Sequence, residues 1–374
     1  MTADLPFFLT LPRGPYSDVR VKAQPEDFVV EELPLYPPVG TGSHTWFWIE
    51  KRGLNTHDAA RRLALALGKR AQDAGWAGLK DAQAVTRQWL SFEHVTEAQV
   101  AALDLGPQLQ VLSVTRHGNK LKMGHLRGNR FVIRLRVESS TLENGKLKTT
   151  SAALAQYAHA AFESLLRLGV PNYYGTQRFG RAASNLELGR LLVCGDVPAF
   201  TEASKAAGTP EARSRDKRYR NLMVNAFQSD LFNQVLALRM PHLGTLCVGD
   251  LAQLHRNGAV FKIADASLEQ PRCDALEVSP SGPLFGPKMP SPEGVPGEME
   301  QAVLAASGVA QADFGRKEAE RQPGARRPLR VPLLEAPEVL ADQDSVLLKF
   351  ALPSGSYATV VLRELLGDEP LALH

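Results

Sequence analysis

The apolar positions change period several times along the chain, and each change marks an element. VRVKA (19–23), FVVEEL (28–33) and HTWFWIE (44–50) have the β-branched and aromatic content of strands, broken by Pro25 and the PLYPP run. Ala59, Ala60, Leu63 and Leu67 then recur at helical spacing behind the capping residues Asn55 and Thr56, and Gly68 stops the segment. GWAGLKD reads as a turn, and AVTRQWLSF as a strand with Val85, Arg87 and Trp89 on one face. Over 130–137, Phe131, Ile133, Leu135 and Val137 alternate with Arg130, Arg134 and Arg136, predicting a strand with one core face and one basic face. A helix is predicted from Thr150 or Ser151 to Leu168, carrying Leu154, Ala158, Ala161 and Leu165 on one stripe and ended by Gly169 and Pro171.

Beyond that helix the texture changes. Residues 173–240 read as mostly helical, 243–285 as short strands, and 280–297, with six prolines, as a long loop; 345–365 returns to strand and then helix. Short strands joined by turns and interleaved with helices predict an α+β mixed sheet more than a regular βαβ array. No internal repeat or low-complexity tract is present.

A length of 374 residues predicts two domains, or one with a large insertion. The apolar share of 44% and charged share of 22% are those of an ordinary globular protein. Apolar runs such as LALAL (63–67) are too short to span a bilayer, and MTADLPFF has an acidic residue where a signal peptide carries positive charge. The expectation is a cytoplasmic protein with no membrane partner. Cys194, Cys247 and Cys273 fit no CxxC spacing and the histidines no metal-ligand spacing, so neither disulfide, zinc nor other metal is expected. Phosphate-loop, dinucleotide-fold and metalloprotease motifs are missing too, which points to chemistry without a recognisable cofactor.

The net charge of +3 is small but unevenly placed. RHGNKLKMGHLRGNRFVIRLR (116–136) has seven Lys and Arg and no acid, and RSRDKRYR (213–220) and GARRPLR (324–330) are basic as well. Against that background stands GLKDAQAVTRQWLSF (78–92), in which Asp81 follows a glycine turn and Lys80 and precedes a strand. From the residues alone Asp81 can be a turn residue, a cap or a surface carboxylate. In a basic, partly dry cleft it would stay ionised and could serve as nucleophile or general base.

That segment resembles the motif around the catalytic aspartate of the TruD family of tRNA pseudouridine synthases. VKAQPEDFVVEE (21–32), GLNTHDAA (53–60), the 116–136 segment, VPNYYGTQRFGR (170–181), QSDLFNQVLALR (228–239) and LPSGSYATVVLREL (352–365) are similar to further family blocks, in the family's order, so the resemblance spans nearly the whole chain. It implies isomerisation of one uridine in tRNA to pseudouridine, typically uridine 13 of the D arm, by a monomer using no cofactor. It implies a pseudouridine synthase fold, a mixed and largely antiparallel sheet at 1–172 and 326–374, interrupted by an inserted α/β domain at 173–325.

Residue by residue, the resemblance makes Asp81 the catalytic aspartate and Lys22 its basic partner, with Phe28, Asn129, Phe131 and Tyr357 lining the uridine pocket. Such a set suits an extruded base, which needs flat apolar walls and polar groups at its edge. Tyr357 stands where phenylalanine also fits the block. Lys80, Arg127, Arg130 and Arg178 are expected RNA contacts, Arg130 because the arginines of 130–137 share one strand face. The rival readings are a silent RNA-binding protein of the same fold, and a nucleoside or glycoside hydrolase, which needs a second carboxylate such as Glu26 or Asp27.

Overall fold

The computed structural model of the protein describes residues 6–9, 19–82, 84–137, 149–180 and 183–368. Residues 1–5 of the MTADLPFF start, Gln83 and Arg181 of the quoted motifs lie outside them. The described residues fall into two compact units, one within Pro12–Phe162, Leu333–Ala358 and Leu365–His374, the other within Met1–Leu11, Glu163–Pro332 and Thr359–Glu364.

In chain order the first unit forms β1 (Val19–Val21), β2 (Phe28–Pro34), β3 (His44–Lys51), α1 (Thr56–Ala66), β4 (Gly75–Trp76), β5 (Val85–Glu93), α2 (Glu97–Ala101), β6 (Leu109–His117) and β7 (Leu126–Val137), and α3 (Ser151–Leu168) follows. Asn55 caps α1 by accepting from the Asp58 amide at 2.9 Å, and Gly68 leaves the helix at φ +64°, a backbone region open to glycine. Buried Ala59, Ala60, Leu63 and Ala64 of α1 pack against Phe47, Ile49, Leu90 and Phe92 of the sheet.

The second unit contains β8 (Val170–Pro171), α4 (Ser184–Cys194), α5 (Val197–Ala206), α6 (Glu211–Ser214), α7 (Lys217–Arg239), β9 (Leu251–Leu254), β10 (Val260–Lys262), α8 (Ala266–Asp274), β11 (Val278–Leu284), α9 (Gly294–Ala306), β12 (Ala325–Pro328) and β13 (Arg330–Val331). Its core gathers Leu188, Leu192, Phe227, Leu231, Phe285 and Phe314. Two expectations are corrected here. Ala266–Asp274 is helical within the segment read as strands, and the proline-rich segment read as a loop opens with β11 and closes in α9. Prolines are tolerated in β11 because it pairs with β9 over Val278–Pro280 and with β12 over Ser281–Leu284, so much of each edge has no ladder amide to supply.

The chain then adds β14 (Glu338–Ala341) and β15 (Ser345–Pro353) to the first sheet, followed by α10 (Ala358–Leu366). Among the described residues this sheet has nine strands in the order β14-β15-β7-β2-β5-β3-β6, with β1 also on β7 and β4 on β5. Only the β2–β5 pairing is parallel, so the sheet is mixed and largely antiparallel. The long central β7 is hydrogen-bonded to β15 and β2 and alternates as its sequence predicts, with Phe131, Ile133, Leu135 and Val137 buried.

Candidate active site

Strand parity places three of the expected pocket residues, Phe28, Asn129 and Phe131, on one sheet face. Phe28, Val30 and Glu32 of β2 share the face on which Asn129, Phe131 and Ile133 of β7 lie, because Phe28 is the register partner of Ile133 and Glu32 of Asn129. The Phe28 and Phe131 rings meet edge to face with centroids 6.3 Å apart, and Phe350 of β15 backs Phe131 at 5.5 Å. The Lys22 ammonium sits 4.3 Å from the centre of the Phe28 ring, a cation–π contact. Lys22 itself holds φ at +57°, a left-handed conformation that is strained for a side chain of this size. Tyr357 is half-buried after the turn that closes β15, where the Ser354 amide donates to the Arg127 carbonyl at 3.0 Å. This ties the Tyr357 loop to the start of β7.

The segment carrying Asp81 is held by a buried polar cradle. The Lys80 amide donates to Thr56 Oγ1 at 2.8 Å, Thr56 donates to Gln88 Oε1 at 2.9 Å, and Gln88 reaches the Gly78 carbonyl at 3.4 Å. Lys80 turns inward, and its ammonium bonds Glu32 Oε2 at 3.0 Å with both side chains almost fully buried. Gly78 makes room for this pair, since a Cβ there would stand 3.2 Å from Lys80 Nζ and 3.1 Å from Leu126. Burial raises the Glu32 carboxyl above its ordinary value, against the lowering effect of Lys80.

Asp81 is exposed, and its main chain is anchored. Lys51, fully buried at the end of β3, donates to the carbonyls of Leu54 at 2.6 Å, Asp81 at 2.8 Å and Lys80 at 3.4 Å. Burial lowers the Lys51 ammonium to about 8, while the Asp81 charge favours the protonated form and Lys80 opposes it. Two charged groups here were not singled out from the sequence: Lys51, a cation acting on Asp81, and Glu32, the carboxylate partner of Lys80. Both had a signal: Lys51 shares strand parity with Phe47 and Ile49, and Glu32 with Phe28 and Val30, so each is a charge at a core-facing position.

Two of the expected RNA contacts are paired with carboxylates in this fold. Lys80 is buried against Glu32 and not open to a phosphate. Arg130 lies on the opposite sheet face from Asn129 and Phe131, where it bonds Glu335 at 2.6 Å and Glu31 at 3.2 Å. It belongs to a ladder in which Arg87 joins Glu31 to Glu50, and Arg52 joins Glu50 to Glu26; nearby, Arg136 pairs with Asp27 at 2.7 Å. The basic strand face is thus largely neutralised within the fold, and the second-carboxylate candidates Glu26 and Asp27 are engaged by arginines. Arg127 is exposed at the start of β7. In the other unit, Arg178 donates to Ser229 Oγ at 3.3 Å and lies over the Tyr174 ring. Among the described residues no cluster of three or more His, Cys, Asp or Glu is arranged to hold a metal ion, and no helix is long and apolar enough to cross a membrane.

Comparison with known proteins decides the family. The model of tRNA pseudouridine synthase D (TruD) matches residues 13–218 and 211–365. The tRNA pseudouridine synthase D of Geobacter sulfurreducens is 40% identical, covering 92% of this chain and 93% of that one. This chain belongs to the TruD family. The corresponding Anaeromyxobacter sp. protein is 42% identical, with 94% of this chain and 93% of its own covered. The crystal structure of a Methanosarcina mazei protein described as a tRNA pseudouridine synthase D has the same fold, with a TM-score of 0.73 at 22% identity over 99% of this chain and 96% of that one. As a TruD family member the chain is an enzyme, an isomerase. Its fold is the family's α+β fold with a mixed sheet.

Proposed function

We propose that this TruD enzyme converts one uridine of tRNA, uridine 13 in the D arm, to pseudouridine, with the Asp81 carboxylate as the reacting group. The observation that carries the reading is the anchored backbone of Asp81 together with a sheet face bearing Phe28, Asn129 and Phe131, with Lys22 over the Phe28 ring. The isomerisation breaks the bond from ribose C1′ to N1, turns the uracil, and joins C1′ to C5. The C5 hydrogen is lost as a proton and N1 gains one, so atoms and electrons balance and the reading needs neither a cofactor nor a metal.

In this reading Asp81 is the nucleophile or base and Lys22 a cation at the apolar end of the site. Phe28, Phe131 and Tyr357 cover the base, and the Asn129 amide offers a donor and an acceptor to the uracil edge. Extruding a stacked base costs on the order of a few kcal/mol, which contacts to the RNA backbone must offset. Arg127 and Arg178 are assigned to those contacts, the inserted domain is placed at 173–325, and the enzyme works as a cytoplasmic monomer. Asp81→Asn, nearly the same size, is expected to abolish pseudouridine formation, mapped by carbodiimide adducts and primer extension on tRNA, while tRNA affinity stays within a few fold. Turnover by Asp81→Asn would remove Asp81 from the chemistry.

A further inference from the structure

Lys51 spends its hydrogen-bonding capacity on main-chain carbonyls, one at Leu54 and two at Lys80 and Asp81. An ammonium has three N–H donors, and here three carbonyl oxygens receive them, two of them from Lys80 and Asp81. The side chain is fully buried in the first unit, so water is not a competing acceptor. A solvated surface lysine would show neither feature. The neighbouring anchors are neutral on the Thr56 and Gln88 side and are closed on the Lys80 side by Glu32. Lys51 is a buried cation whose ammonium reaches the carbonyl of Asp81 itself.

We infer that Lys51 is a positioning residue for the isomerisation: its ammonium clamps the main chain at Lys80 and Asp81, and thereby fixes where the Asp81 carboxylate stands. The inference rests on the reading of Asp81 as the reacting group. Reaction rates are steeply sensitive to such placement, since a displacement of about 1 Å at a reacting group can cost about 100-fold. Two effects act together here. The donors hold the backbone geometry, and the positive charge favours the ionised carboxylate. A neutral amine has two donors in place of three and no charge, so the clamp loosens when the proton leaves. The charged groups acting on Lys51 are Asp81, which favours the ammonium, and Lys80, which opposes it. Burial outweighs Asp81 and brings deprotonation down to about 8, close to working pH.

The test compares Lys51→Met, Lys51→Gln and Asp81→Asn with the parent enzyme in single-turnover reactions on one tRNA transcript, alongside tRNA affinity and thermal midpoint. The expected result is a fall of about 100-fold in the single-turnover rate for Lys51→Met, with tRNA affinity within about three-fold. Lys51→Gln, which keeps N–H donors without the charge, is expected to fall between Lys51→Met and the parent. The parent rate should also decline as pH rises through about 8, a bend absent from Lys51→Gln. A Lys51→Met rate within about two-fold of the parent, or a loss explained by weakened tRNA binding alone, overturns the inference. If both variants fail to fold, the parent pH profile decides: a rate that is flat from pH 7 to pH 9 overturns the clamp. If Asp81→Asn still turns over, the reading of Asp81 fails; if Asp81→Asn is inert while Lys51→Met is active, only the clamp fails.

Discussion

Glu32 and Asn129 are register partners across β2 and β7, yet their polar groups are used in opposite ways. Glu32 gives its carboxylate to Lys80 and to the Trp89 amide, whereas the buried amide oxygen of Asn129 accepts no hydrogen bond among the described residues. A buried acceptor without a donor costs stability of about 1–3 kcal/mol, and in the proposed reading the uracil edge supplies the donor. The N3–H of uracil is a donor of the kind it lacks.

Asn129→Leu is therefore expected to leave the thermal midpoint unchanged or raised, because it removes an unsatisfied acceptor. It should lower kcat/KM on tRNA by about 10- to 100-fold, the range set by one or two lost hydrogen bonds. A destabilised but fully active Asn129→Leu enzyme would make this residue structural.

The Glu32–Lys80 pair makes a different prediction, about stability. Removing one member of a buried pair strands the other charge, and Glu32→Leu should cost about 3–5 kcal/mol in denaturant unfolding. Replacing both, as Glu32→Leu with Lys80→Met, should recover most of that loss, because two apolar side chains need no partner. If the double variant were as unstable as the single one, the pair would contribute more than charge compensation.

Much of the first sheet was legible in local pattern. The alternation of Phe131, Ile133 and Leu135 with arginines gave β7, and Asn55 with Gly68 bracketed α1, because strand parity and helix capping are set by neighbours in sequence. What faces those arginines was not legible, since Glu31 and Glu335 reach Arg130 from β2 and from the loop before β14, far away in the chain. Lys80 is a similar case: next to an exposed aspartate it reads as surface charge, and its partner Glu32 comes from β2, the neighbour of β5, 48 residues away in the chain. Family resemblance supplied the proposed pocket residues, whose individual types would otherwise read as core or turn. The prolines of β11 misled because a strand that changes partner midway has open edges that no local pattern announces.

Salt dependence separates the two arginines at the start of β7. Each phosphate neutralised by an arginine or lysine contributes about −0.7 to −0.9 to the slope of log affinity against log salt. Arg127→Gln is expected to flatten the slope for tRNA binding by about that amount. Arg130 is committed to Glu31 and Glu335, so Arg130→Gln should leave the slope unchanged. An unchanged slope for Arg127→Gln, or a flattened one for Arg130→Gln, would relocate the RNA path to the ladder face.

Lys22 combines backbone strain with a charge above an aromatic ring, and substitutions can separate the two. At φ +57° a residue with a Cβ is disfavoured by about 1–2 kcal/mol, a penalty glycine escapes at the smaller cost of extra freedom in the unfolded chain. Lys22→Gly should accordingly be more stable than Lys22→Ala by about 1 kcal/mol in urea unfolding. Both variants lose the cation over Phe28, so both should lose single-turnover rate to the same degree if the charge serves the reaction. If Lys22→Gly alone lost activity, the strained backbone would be the functional feature; if neither lost it, Lys22 would have no part in the chemistry.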